Sequence, residues 1–156
     1  IKDSPYFQKD TFIWPELMFQ IEIILRGTKI RPPLRSYYYT SVVGDDDKLS
    51  EIRTRLWNIG FHPEVFKKQK NRKSKGVDIT LTKDILFHAF MDNYDMAVLV
   101  TGDADYLPVI EEIKRQGKIL YLVFLEEAEM DKNLILSADM FETIPIDWIL
   151  SSLSKE

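Results

Sequence analysis

Cysteine is absent from the 156 residues of this chain. That removes disulfides, thiolate nucleophiles and thiolate-bound zinc together. Histidine is nearly as scarce: His62 and His88 are the only two, too few for a histidine-rich metal site. Any metal held here must be hard and oxygen-bound, with Mg2+ or Mn2+ the natural candidates. No apolar run approaches the roughly 20 residues needed to span a bilayer. The first ten residues lack the basic start and apolar core of a secretion signal. The expectation is a cytoplasmic protein with no membrane partner. A glycine-rich phosphate loop and a dinucleotide fingerprint are missing too, so nucleotide cofactor use has no support.

What remains is an ordinary globular composition, 45% hydrophobic and 29% charged. The length suits one domain with a real core. Net charge is −4, which argues against a generic nucleic-acid coat, but the charge is unevenly spread. Six of the nine residues from Lys67 to Lys75 are basic: Lys67, Lys68, Lys70, Arg72, Lys73 and Lys75. This window carries +6 against the total of −4, leaving −10 for the rest of the chain. A basic segment on an acidic body suits contact with a phosphate backbone; a solvated loop is the plainer alternative.

Strand-like and helical patterns alternate along the chain. Phe12 to Leu25 reads as a helix with Leu17, Ile21, Ile24 and Leu25 on one face. Leu34 to Val43 reads as a strand, and Asp45 to Asp47 caps a helix over Lys48 to Ile59 that Gly60 closes. Phe61 to Lys67 is a short strand and Val77 to Asn93 a helix. Met96 to Val100 is a strand, Leu107 to Gln116 a helix, and Ile119 to Phe124 a strand. Lys132 to Ala138 is a short helix, Met140 to Ile144 a short strand, and Trp148 to Leu153 a terminal helix. Such alternation implies an α/β fold, a parallel sheet with helices on both faces. No strand precedes the first helix, although that strand commonly lies centrally in a doubly wound sheet. The reading is one domain over residues 1–156 whose first strand is lacking from this sequence.

The densest chemical signal is Thr101-Gly102-Asp103-Ala104-Asp105-Tyr106. It follows the apolar run Met96-Ala97-Val98-Leu99-Val100, so two carboxylates emerge at the carboxyl end of a buried strand. Open α/β sheets place their ligand sites there. Asp78, in the first turn of its predicted helix, approaches the pair if the chain crosses the same sheet edge. Three clustered carboxylates resist joint ionisation unless a cation relieves the repulsion. A hard metal so held activates water and offsets phosphoryl charge during in-line attack. Plainer readings stand beside this one. Asp105 would serve equally as a helix cap, and Asp78 as a first-turn acid favouring the helix dipole. Asp84 lies roughly 240° around an ideal helix from Asp78 and is ranked lower. His88, among Phe87, Ala89 and Phe90, reads as a core or interface histidine. Tyr37, Tyr38 and Tyr39 alternate faces along a strand, so part of that run is core. Tyr106 is a candidate for stacking on bases, with helix-start packing as its alternative.

Lys75-Gly76-Val77-Asp78-Ile79-Thr80-Leu81-Thr82-Lys83-Asp84, followed by Met96 through Pro108, resembles the NYN domain family, the LabA-like branch of PIN-like nucleases. The Gly117-Lys118 turn and the stretch from Leu134 to Phe141 are similar to its C-terminal pattern. The resemblance implies a Rossmann-like three-layer α/β/α sandwich with a mostly parallel central sheet. It also implies a Mg2+- or Mn2+-dependent ribonuclease site in which Asp78, Asp103 and Asp105 are metal ligands and catalytic residues. Asp84 matches a patterned acid of second rank. Thr101 stands where the family often has Ser, which keeps a hydroxyl near the site. The family opens with a strand ending in Asp, and nothing before Ile13 supplies it. The expected activity is endonucleolytic cleavage of single-stranded RNA by metal-activated water, with Lys70, Arg72, Lys73, Lys75 and Tyr106 guiding the RNA. The alternative is a non-catalytic RNA-binding module that keeps the fold. Trp148, Ile149 and Leu153 would pack internally or join two copies in a homo-oligomer.

Overall fold

The computed structural model describes residues 35–68, 75–126, 129–145 and 147. Strands and helices alternate through them: β1 (Tyr37–Val42), α1 (Asp46–Asn58), β2 (His62–Lys67), α2 (Lys75–Phe90) and β3 (Met96–Val100). A 3-10 turn (Ala104–Tyr106) leads into α3 (Leu107–Arg115), then β4 (Ile119–Leu125), α4 (Lys132–Ser137) and β5 (Met140–Ile144). Every ladder among the described residues is parallel, so the chain is α/β as expected. The ladders form one sheet of two strands, β1–β2, and one of three, β3–β4–β5. The helices expected over residues 12–25 and 148–153 lie outside the described residues. The chain divides into two compact units, one over Pro32–His88 and one containing Ala89–Glu156.

In the first unit, Asp45 caps α1 by accepting from the Lys48 amide at 2.9 Å. Asp46 and Asp47 occupy the first turn, where negative charge favours the helix dipole. Leu49, Ile52 and Leu56 recur at helical spacing and are buried, which turns one stripe of α1 into core. Gly60, at φ +95°, ends the helix. The Phe61 amide reaches back to the Leu56 carbonyl at 3.0 Å, the closing bond of a Schellman turn. The chain then enters β2 in register with β1, Tyr37 opposite His62 and Val42 opposite Lys67. Along β1 the tyrosines alternate. Tyr37 and Tyr39 meet α2, through His88 and Asp84 respectively. Tyr38 meets Phe61 edge-on at 5.6 Å between ring centres.

In the second unit β4 is the middle strand. Leu120, Tyr121, Leu122 and Val123 are all buried, an unbroken apolar run that only a strand covered on both faces tolerates. Val109, Ile110 and Ile113 form the buried stripe of α3. Gly117, at φ +74°, ends that helix, with the Lys118 amide donating to the Ile113 carbonyl at 3.3 Å. Asp131 caps α4 by accepting from the Asn133 and Leu134 amides, and Leu134 is fully buried. Asp139 then ties the start of β5 to β4. Its Oδ2 accepts from the Leu120 amide at 2.8 Å, while its own amide donates to the Leu120 carbonyl at 3.0 Å.

Candidate active site

Thr101 to Tyr106 forms a loop whose shape is set by three short-range hydrogen bonds. The Thr101 hydroxyl oxygen accepts from the Asp103 amide at 3.2 Å. The Asp103 Oδ1 in turn accepts from the Asp105 amide at 2.9 Å, and the Asp103 carbonyl from the Tyr106 amide at 3.2 Å. Asp103 is thus the cap of the 3-10 turn that delivers α3. Capping falls to Asp103, where the sequence offered Asp105 as the capping candidate. The reason is local: the 3-10 turn begins three residues before α3, which moves the cap upstream. Both carboxylates remain exposed at the carboxyl end of β3.

Gly102 is small for want of space. Its backbone is not among the left-handed glycines of the described residues, Gly60 and Gly117. A Cβ placed on it would stand 2.4 Å from Cε1 of Phe124 and 2.7 Å from Cδ1, far inside van der Waals contact. The ring of Phe124 therefore lies directly against the loop. That aromatic neighbour, distant in sequence, left no local signal.

Tyr106 is buried, 7% exposed. Its ring belongs to the core, so packing at the helix start prevails over stacking on an incoming base. The Thr101 hydroxyl oxygen, by accepting from the Asp103 amide, orients the start of the loop. Asp103 and Asp105 are brought together on one loop of the second unit.

Asp78 and Asp84 belong to the first unit, both on α2. Asp78 lies in the first turn of that helix and is exposed. Asp84 faces inward. The Tyr39 hydroxyl donates to its Oδ2 at 3.1 Å, and Lys83 pairs with its Oδ1 at 3.1 Å. Burial, followed by the negative charge of Asp84, pushes the Tyr39 hydroxyl well above the ordinary tyrosine range. It therefore stays protonated and remains a donor. Three rings surround Tyr37, those of His62 at 5.2 Å, His88 at 6.0 Å and Tyr39 at 6.2 Å; His88 behaves as the packed histidine expected from its neighbours. Among the basic residues, Lys67 pairs with Asp46 at 3.1 Å. Lys70, Arg72 and Lys73 lie outside the described residues, and Lys75 begins α2.

Among the described residues no three His, Asp or Glu side chains gather into a group able to hold a metal ion. The exposed pair Asp103 and Asp105 nonetheless has the donor chemistry that Mg2+ or Mn2+ requires. Mg2+ is commonly held by one or two carboxylates, with waters and substrate phosphates completing its shell. The pair fits such a site, with no dedicated protein cage.

Comparison with known proteins supports the same architecture. A solved protein of unknown function from Vibrio parahaemolyticus RIMD 2210633 is similar in fold, with a TM-score of 0.60 and 22% sequence identity. The match covers 86% of this chain and 79% of that one. At that identity the likeness concerns the fold alone. No curated protein matches the chain. The family model for the NYN domain matches residues 7–147. The chain belongs to the NYN domain family, within the ribonuclease-like PIN-like superfamily, and shares its three-layer α/β/α architecture.

Proposed function

We propose that this chain is a metal-dependent endoribonuclease that cleaves single-stranded RNA. The observation that supports it most is the loop Thr101–Tyr106, where two exposed carboxylates sit at the carboxyl end of β3 on a backbone fixed by three hydrogen bonds. Asp103 and Asp105 would hold Mg2+ or Mn2+. When bound, the ion supplies a lowered water pKa and offsets charge on the phosphoryl oxygens.

The chain's own residues have separate tasks. Thr101 holds the Asp103 amide, and the Asp105 amide fixes one oxygen of the Asp103 carboxylate. That carboxylate enters the site already oriented, which lowers the reorganisation needed in the transition state. Lys70, Arg72, Lys73 and Lys75 would hold the phosphate backbone, and Asp84, by accepting from Tyr39, ties α2 to β1. Water attacks phosphorus in line, the P–O3′ bond breaks, and the 3′ oxygen takes a proton. The product keeps its 5′-phosphate.

Incubation of the full chain with end-labelled single-stranded RNA tests this reading. Cleavage should require Mn2+ or Mg2+, stop with EDTA, and return on adding excess Mn2+. A second reading, a non-catalytic RNA-binding module, draws on the absence of a three-residue metal group among the described residues. It expects salt-sensitive RNA binding that survives EDTA with no turnover at any Mn2+ concentration. That outcome would replace the nuclease reading.

A further inference from the structure

The loop that carries Asp103 and Asp105 is held from within by hydrogen bonds, but something must also fix it to the sheet. The β3–β4 ladder ends with Val100 opposite Val123. The next residue on β4 is Phe124, alongside the point where the chain leaves β3. Its ring reaches Gly102 so closely that a single methyl group there would overlap three ring atoms, Cε1, Cδ1 and Cζ, at 2.4, 2.7 and 2.9 Å. Real Cβ contacts do not occur at such distances, so the ring and the glycine occupy complementary space. A phenylalanine ring is rigid and turns on only two side-chain dihedrals. It therefore limits how far Gly102, and with it the next residue, Asp103, can shift toward β4.

We propose that Phe124 is a positioning residue for the acid pair: its ring, seated against Gly102, holds the Thr101–Tyr106 loop in the conformation that presents the two carboxylates together. The consequence for metal binding rests on the nuclease reading above; the consequence for the loop does not. Phe124 touches neither substrate nor ion in this account and acts only through the loop. Supports of this kind typically change metal affinity by about 10–100-fold when removed.

Two readouts on the chain separate a positioning role from ordinary packing. The first is amide hydrogen exchange at Asp103, Asp105 and Tyr106, whose amides make the three loop bonds, with Ile110 in α3 as the internal reference. The second is Mn2+ titration followed by the loss of the free-ion paramagnetic signal. In Phe124→Ala, the three loop amides should exchange about 10-fold faster relative to Ile110, and Mn2+ should bind about 10-fold more weakly. Phe124→Tyr, which keeps the ring, should restore both. Gly102→Ala should loosen the same amides, and combining it with Phe124→Ala should produce less than the sum of the two effects, because the overlap is gone. Should Phe124→Ala fail to fold, Phe124→Leu and Gly102→Ala carry the same comparison. Unchanged loop exchange in folded Phe124→Ala or Phe124→Leu would overturn the proposal, whatever the melting temperature does. Faster loop exchange in a chain whose wild type binds no Mn2+ would sustain the loop role and overturn the metal reading instead.

Discussion

Asp103 has two tasks that a single substitution can separate. Its Oδ1 caps the 3-10 turn through the Asp105 amide, and its charge is what a divalent ion would require. Asn caps as well as Asp, so Asp103→Asn should retain the turn and the melting temperature while losing the charge. Asp103→Ala should lose the cap as well, lowering stability by about 1 kcal/mol in a urea titration. Equal stability of the two variants would mean that the cap contributes nothing. Tyr39 has an equally direct consequence. Its folded pKa is raised above the ordinary value of 10.0 by burial first and by Asp84 second. Between those values the folded state binds more protons than the unfolded state, so stability must fall as pH rises. The contribution is full below pH 10.0 and diminishes above it. Thermal melts at pH 9 and pH 11 should therefore diverge more for the wild type than for Tyr39→Phe. Parallel loss in both would show that other groups set the alkaline limit.

At the scale of elements, Asp139 joins three pieces. It accepts from the Leu120 amide at 2.8 Å and pairs with Lys114 at 3.4 Å, so it links β4, the start of β5 and α3. Asp139→Ala leaves the Leu120 amide without its acceptor, in a residue that is fully buried. A loss of about 1–3 kcal/mol is expected, read as a lower urea midpoint with an unchanged slope; a midpoint like the wild type's would show that water replaces the carboxylate at no cost. The elements themselves were legible where their cause is local. Gly60 and Gly117 end helices because left-handed backbone suits glycine, and the β4 run announced a covered strand through its own composition. Boundaries moved by one to three residues, as with α1, which begins at Asp46 directly after its cap Asp45, and α2, which begins at Lys75. Of the candidate site, the acid pair and its strand were readable from spacing. The Phe124 contact with Gly102, the Tyr39 bond to Asp84 and the burial of Tyr106 were not, because each depends on residues brought together only by folding.

On the scale of the whole molecule, charge is the property that reaches farthest. An acidic chain with one strongly basic window should hold a polyanion mainly through that window. The family points to RNA as that polyanion, and no helix among the described residues is long and apolar enough to cross a membrane. Replacing Lys70, Arg72 and Lys73 together with Gln should weaken single-stranded RNA binding. It should also reduce the slope of log K against log salt by about 2, since each phosphate contact contributes roughly 0.7 on a single strand. Binding with an unchanged slope would move the RNA contact elsewhere on the chain.

The proposed cleavage depends on the two carboxylates at the end of β3. The most direct measurement is single-turnover cleavage of end-labelled single-stranded RNA in Mn2+, comparing wild type, Asp103→Asn and Asp105→Asn under conditions where all three melt alike. Loss of one charged ligand should cost several kcal/mol of transition-state stabilisation, so each variant should cleave about 100-fold more slowly or worse while still binding RNA. Cleavage by both variants at the wild-type rate would contradict the assignment of this loop as the active site.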